Sequence, residues 1–126
     1  MFKSIYYYID KFNRDEIDKL DTSVSIIYRN YTDKINIKEI KNLLNCCKKS
    51  NRKVYISNNL KLALKFNFNG IYIPSSNKLL NFRNIAKKKF EVIGSAHNID
   101  EILNKEKQGC TKIFLCPVFK TKKNKS

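Results

Sequence analysis

EVIGSAHNIDEILNKEKQGCTKIFLC, residues 91–116, joins two short apolar runs through one helix-sized segment. Residues 91–95 and 111–116 are β-branched, aromatic and apolar runs of strand length. Between them Asn98, with Glu101 three residues on, makes a helix-opening capping pair. The helix carries Ile99, Ile102 and Leu103, and Gly109 ends it. Strand, capped helix and strand in such close succession make a βα unit leading into a parallel neighbour. Outward from this stretch the pattern repeats. Strand-like runs occur at 4–9 (SIYYYI), 23–29 (SVSIIYR), 53–57 (KVYIS) and 70–73 (GIYI). In 37–49, Ile37, Ile40, Leu43, Leu44 and Cys47 fall three and four apart, on one helix face, behind a cap at Asn36. Asn13 and Glu16 repeat the capping device. Strands alternating with helices predict an α/β fold with a parallel sheet buried on both faces. No linker or repeat interrupts residues 1–126 before the last few, so one domain is expected.

Composition narrows the function classes. The apolar fraction of 42% suffices for one core, and the early run IYYYI (5–9) is too short for a signal-peptide core or a membrane span. A cytoplasmic protein with no membrane partner is expected. Cys46, Cys47, Cys110 and Cys116 show no C-x-x-C spacing, and His97 is the single histidine. Reduced thiols are therefore expected, rather than a zinc site or a disulfide framework. The net charge of +15 raises nucleic acid as a partner. Against it, only Arg14, Arg29, Arg52 and Arg83 are arginine, and the lysines scatter through helical segments rich in asparagine and isoleucine, as A/T-rich coding produces. Solvated helix faces account for this charge, which disfavours nucleic acid; self-association is left open.

In parallel α/β folds chemistry sits where strands end. Those positions hold Arg29; Ser57, Asn58 and Asn59; Ser75, Ser76 and Asn77; Ser95 and His97; and Thr121 with Lys120, Lys122 and Lys123. Each is also an ordinary turn or surface residue. Together, five successive polar strand ends suit an anionic, phosphate-bearing ligand.

The segments YRNY (28–31), ISNNLKLAL (56–64), NGIYIP (69–74), VIGSAHN (92–98) and CPVFKTKKNK (116–125) occur in this order. In them the chain resembles the thiamine-phosphate synthase/TenI family of (β/α)8 barrels. The resemblance implies a TIM-barrel fold with about six of its eight βα units present, since a complete barrel takes ~200 residues or more. The chain is accordingly expected to be incomplete at its C-terminus, with CPVFKTKKNKS as the sixth βα loop, its lysines facing substrate phosphate. It implies thiamine biosynthesis with phosphorylated thiazole and pyrimidine substrates. The synthase branch condenses a pyrimidine diphosphate with a thiazole phosphate, releasing pyrophosphate and using Mg²⁺. The TenI branch isomerises a carboxythiazole phosphate without metal.

Residue by residue, the resemblance makes Arg29 a pyrophosphate-facing arginine and Ser95 a neighbour of the same group. It makes His97 the general base of the tautomerase branch, and Thr121 the first threonine of the sixth loop. Asn59, Ser75, Lys122 and Lys123 join the substrate-binding set. Asn58 and Asn77 stand where the family has metal-binding aspartates, Tyr31 where it has a lysine, and Lys123 with Asn124 depart from its threonine-lysine. With both carboxylates missing, no metal ligand is assigned, and Mg²⁺ enters by resemblance alone. Synthase-like condensation is the leading expectation. The alternatives are metal-free tautomerisation through His97 and a non-catalytic phosphate- or nucleic-acid-binding protein. For His97 a plain helix-entry position beside Asn98 stands as the other reading.

Overall fold

Six parallel strands lie side by side in the order in which the chain makes them. They are β1 (Ile5–Ile9), β2 (Val24–Tyr28), β3 (Val54–Ser57), β4 (Gly70–Ile73), β5 (Glu91–Ala96) and β6 (Lys112–Leu115). The structure, a computed structural model, describes residues 5–30, 34–87 and 89–115. Register runs Ile5 to Val24, Ile26 to Val54, Tyr55 to Gly70, Gly70 to Glu91 and Ile93 to Lys112. A doubly wound sheet reverses its strand order at a switch point; here every crossover steps the same way, as in a (β/α)8 barrel.

The sheet is rolled. Tyr6 on β1 and Phe114 on β6 have ring centroids 4.4 Å apart. In a flat sheet the five strand steps between them, each ~4.8 Å, would separate them by roughly 24 Å. Alternate side chains therefore feed two cores. Ile27, Tyr55, Tyr72 and Ile93, with Tyr6 and Phe114, fill the concave inside. Ile26, Ile56, Ile71, Ile73 and Val92 point outward and pack against the helices.

Among the described residues four helices connect the strands: α1 (Arg14–Asp18), α2 (Ile37–Lys49), α3 (Leu60–Lys65) and α4 (Ile99–Lys107). Each begins at an asparagine whose side-chain oxygen accepts the third helical N–H. These caps are Asn13 to Glu16, Asn36 to Glu39, Asn59 to Leu62 and Asn98 to Glu101. In α2 the expected face is buried at Ile40, Leu43, Leu44 and Cys47, while Ile37, in the first turn, stays exposed. Arg52, just before β3, is buried, and its two terminal nitrogens donate to four carbonyls. These are Asp21 O at 2.8 Å, Val24 O at 2.7 Å, Ile17 O at 3.2 Å and Leu20 O at 3.1 Å, so one side chain closes the whole α1–β2 turn.

Two features depart from the sequence reading. The β4–β5 connection, 74–90, contains no helix among its described residues. It starts at Pro74; Leu79, Phe82 and Ala86 fall three and four apart, but Leu79 is exposed while Phe82 is buried and anchors the loop. The α4 face also differs: Ile99 is 73% and Leu103 51% exposed, whereas Lys105 and Gln108 are wholly buried. The cause is Gly94 on β5. A Cβ there would lie 2.7 Å from Lys105 Cδ, so the glycine makes room for the lysine stem. Lys105 Nζ and Gln108 Nε2 then donate to Asn77 O at 2.9 and 2.7 Å, and Gln108 also to Leu79 O at 2.7 Å. Polar side chains thus brace the loop that a helix would otherwise support.

Cys46, Cys47 and Cys110 are free thiols. Burial pushes Cys47 up to about 12 and Cys110 up to about 11, and burial with Glu39 as acceptor pushes Tyr28 up to about 12. The unfolded chain starts to lose these protons near pH 9 to 10, while the folded chain retains them. Stability is therefore full below about pH 9 and falls as pH rises toward 11 to 12. Lys105, whose pKa burial lowers, acts in the opposite sense and is outnumbered. Urea midpoints measured from pH 7 to pH 11 should hold steady and then decline, with Cys47→Ala flattening part of the decline.

Candidate functional site

At the carboxyl ends of the strands, four elements bring polar groups together on the concave side. Arg29 follows β2; its backbone N–H donates to Ile9 O at 2.8 Å, and its guanidinium lies 3.9 Å from the Tyr8 ring centroid. This cation–π contact holds the charge at the mouth. The Tyr8 hydroxyl donates to the Tyr72 hydroxyl at 3.1 Å, and Tyr72 in turn lies 2.8 Å from Ser95 Oγ. Tyr72 is 3% and Ser95 4% exposed, so this polar chain runs along the inner wall, over the stacked Phe114 ring at 6.2 Å.

A second group lies beside it. Asn77 Nδ2 donates to Asn58 Oδ1 at 2.8 Å, and Asn77 Oδ1 accepts from Leu79 N at 2.9 Å. Asn58 has φ +65°, the left-handed region that asparagine tolerates better than most residues, and its N–H donates to Tyr72 O at 2.9 Å. The β3 and β4 loops are thus tied to each other by an amide pair. Magnesium requires hard, anionic oxygens in a tight octahedron. Here both side-chain oxygens are neutral and already accept hydrogen bonds, so these residues do not fit the ion. Among the described residues no cluster of three His, Cys, Asp or Glu side chains could hold a metal.

His97 lies one residue past β5, with its side chain 41% exposed. Its N–H donates to Glu101 Oε1 at 2.6 Å and its Nδ1 lies 3.1 Å from the same oxygen. The His97 backbone N–H, more than its ring, holds the Glu101 carboxyl below the usual range. The histidine is therefore tied into the α4 cap, with Nε2 directed away from that pairing. Asn59 spends its side chain on the α3 cap. Ser57 is buried at the end of β3, and Ser75 is half-buried on the β4 loop. Tyr31, Lys120, Thr121, Lys122, Lys123 and Asn124 lie outside the described residues.

Of the expected set, Arg29 and Ser95 lie at the two ends of the tyrosine chain, and Asn58 meets Asn77. Tyr8 and Tyr72 were not singled out, because inside IYYYI and GIYI they read as strand filler. The available signal was their parity: each is a polar-tipped residue at the penultimate, inward-facing position of its strand. A cavity of about 580 Å³ opens instead at the opposite end, among Lys53, Phe68, Lys87, Lys89, Phe90 and Glu91. Its charged rim is partly spent on the Lys53–Glu91 ion pair at 3.1 Å. The polar run through Tyr8, Tyr72 and Ser95 lies at the carboxyl end.

The thiamine monophosphate synthase family model matches residues 19–126. A thiamine-phosphate synthase of Prochlorococcus marinus strain SARG is 31% identical over 87 residues, covering 68% of this chain and 25% of that protein. A thiamine-phosphate synthase of strain AS9601 of the same species is 32% identical over 101 residues, covering 78% of this chain and 29% of that protein. The chain thus spans little more than a quarter of the length of these curated relatives.

Proposed function

The chain belongs to the thiamine monophosphate synthase family, and from that premise we propose that it acts in thiamine biosynthesis by binding a phosphorylated thiazole at the carboxyl end of its rolled sheet. The observation that carries this reading is the polar run that starts at Arg29, stacked on the Tyr8 ring, and passes through the Tyr8 and Tyr72 hydroxyls to Ser95 Oγ. Such a set supplies donors and positive charge, as a phosphate ester requires. Synthase-like condensation with a pyrimidine diphosphate is the family reaction, but its metal has no fitting ligands in the amide pair. The donor set therefore favours the metal-free branch, with His97 moving the proton. Its Nδ1 is steadied by Glu101 and its Nε2 is left to a ligand.

Among the described residues no helix is long and apolar enough to cross a membrane. Calorimetric titration with thiazole phosphate tests the binding. The expected result is saturable uptake that arbitrary RNA does not displace; salt-sensitive displacement by RNA would assign the lysines to nucleic acid instead. For the proton-moving role, His97→Ala is expected to lower thiazole isomerisation by ~10²–10⁴-fold while leaving thiazole phosphate affinity within a few-fold. An unchanged rate would return His97 to a helix-entry role.

A further inference from the structure

We propose that Tyr8 and Tyr72 form a hydroxyl relay that fixes Ser95 as a donor toward an anionic ligand oxygen, which makes Tyr72 a positioning residue of the site. The assignment of hydrogens carries the argument. Each hydroxyl has one hydrogen to give. The Tyr8 hydrogen is given to the Tyr72 oxygen. Tyr72, buried on the inner wall, must then place its own hydrogen on an acceptor, and Ser95 Oγ at 2.8 Å is the one its hydroxyl reaches among the described residues. A Ser95 hydroxyl that donated back to Tyr72 would strand the phenolic hydrogen in a buried place, which is costly. Ser95 therefore accepts from Tyr72, and its hydrogen is left for something else. Among the described residues no hydrogen bond uses it. At the other end of the relay the Arg29 guanidinium rests on the Tyr8 ring.

The consequence is a serine whose rotor is set before the ligand arrives. A free hydroxyl can offer either its hydrogen or a lone pair. This one is committed to donate, and hydrogen bonds passed along a chain polarise each other in that direction. Donation suits a ligand with oxygens that only accept: a phosphate or pyrophosphate anion. An uncharged hydroxyl group on a ligand gains less from it. The proposal rests on the phosphate-binding reading given above, and adds what selects the anion.

The test is calorimetric titration of the full chain with inorganic pyrophosphate, comparing the unsubstituted protein with Tyr72→Phe, Ser95→Ala and the double variant. Tyr72→Phe keeps the ring and removes the relay, and should weaken affinity by roughly 3- to 10-fold, the share of one hydrogen bond. Ser95→Ala should weaken it at least as much. Because Tyr72 acts through Ser95, the double variant should bind no worse than Ser95→Ala alone. Multiplying losses in the double variant would overturn the relay while leaving phosphate binding intact. Absence of pyrophosphate binding by the unsubstituted chain would overturn the relay as an anion site, while the thiazole phosphate titration decides the binding reading separately. Tyr8→Phe, at the outer end of the relay, should show a smaller loss that also vanishes in the Ser95→Ala background. It keeps the test decisive if Tyr72→Phe folds poorly, and a loss that persists there would count against the relay.

Discussion

Arg52→Met removes a donor from four backbone carbonyls at once, and the chain is expected to lose a large share of its stability. Ile17 O, Leu20 O, Asp21 O and Val24 O all converge on the two terminal guanidinium nitrogens. Methionine fills much of the same space, so the loss comes from polar groups rather than from a cavity. A buried carbonyl without a partner costs about 1–3 kcal/mol; Ile17 O and Asp21 O keep the Leu20 and Val24 N–H groups, and this with partial rehydration of the turn reduces the sum. A net loss of roughly 3–5 kcal/mol is expected, against the 5–15 kcal/mol that domains typically possess. Arg52→Lys should recover only part of it, because one ammonium cannot reach both pairs of carbonyls in the planar arrangement of the guanidinium. The measurement is the urea midpoint of each variant, with the slope compared to confirm two-state unfolding. A midpoint unmoved by Arg52→Met would mean that water replaces the guanidinium without penalty.

Asn58→Asp combined with Asn77→Asp should convert a chain indifferent to Mg²⁺ into one stabilised by it. The amide pair at 2.8 Å would become two carboxylates at the same separation, which repel unless one takes up a proton or a cation enters. In chelator the double variant should melt below the unsubstituted chain. Added Mg²⁺ should restore it, by about 2.7 kcal/mol at a concentration ~100-fold above the dissociation constant. The unsubstituted chain should show no Mg²⁺-dependent shift. Thermal melts with and without chelator read both outcomes. An equal Mg²⁺ response in the two proteins would place the ion elsewhere and remove the amide pair from the argument.

How far the sequence reveals such features depends on how local their causes are. The strands are legible because a parallel strand is apolar on both faces, and each of the six runs falls within about two residues of its expected place. The caps are legible because an asparagine oxygen reaches an N–H three residues on, a distance fixed by the helix itself. The buried face of α4 is not legible in this way. Ile99 and Leu103 have the right spacing for a core, but burial is decided by Gly94 on a neighbouring strand, which admits the Lys105 stem. Nothing in residues 99–107 carries that information. The irregular 74–90 connection is not legible either, because Leu79, Phe82 and Ala86 have the spacing of a helix face that the loop does not form. At the site, single strand ends can be read one at a time, so Arg29, Asn58, Asn77, Ser95 and His97 emerge as candidates. Their pairings cannot be read so, because the curl of the sheet brings Tyr8 to Tyr72 and strand adjacency brings Asn58 to Asn77.

The contact between Tyr6 and Phe114 bears on the order of events in folding. Neighbouring strands join through crossovers of modest length, so pairing can advance along the chain one unit at a time. The two aromatic rings come from opposite ends of the described chain, and they meet only after every intervening strand is in register. Their approach closes the longest loop in the molecule, and contacts of such sequence separation repay their entropy last. The mouth built from β1, β2, β4 and β5 needs the same rolling. The polar wall around Arg29 and Ser95 therefore assembles with the final stage of folding, and conditions that flatten the sheet would dismantle it while leaving the strand pairs and helices in place.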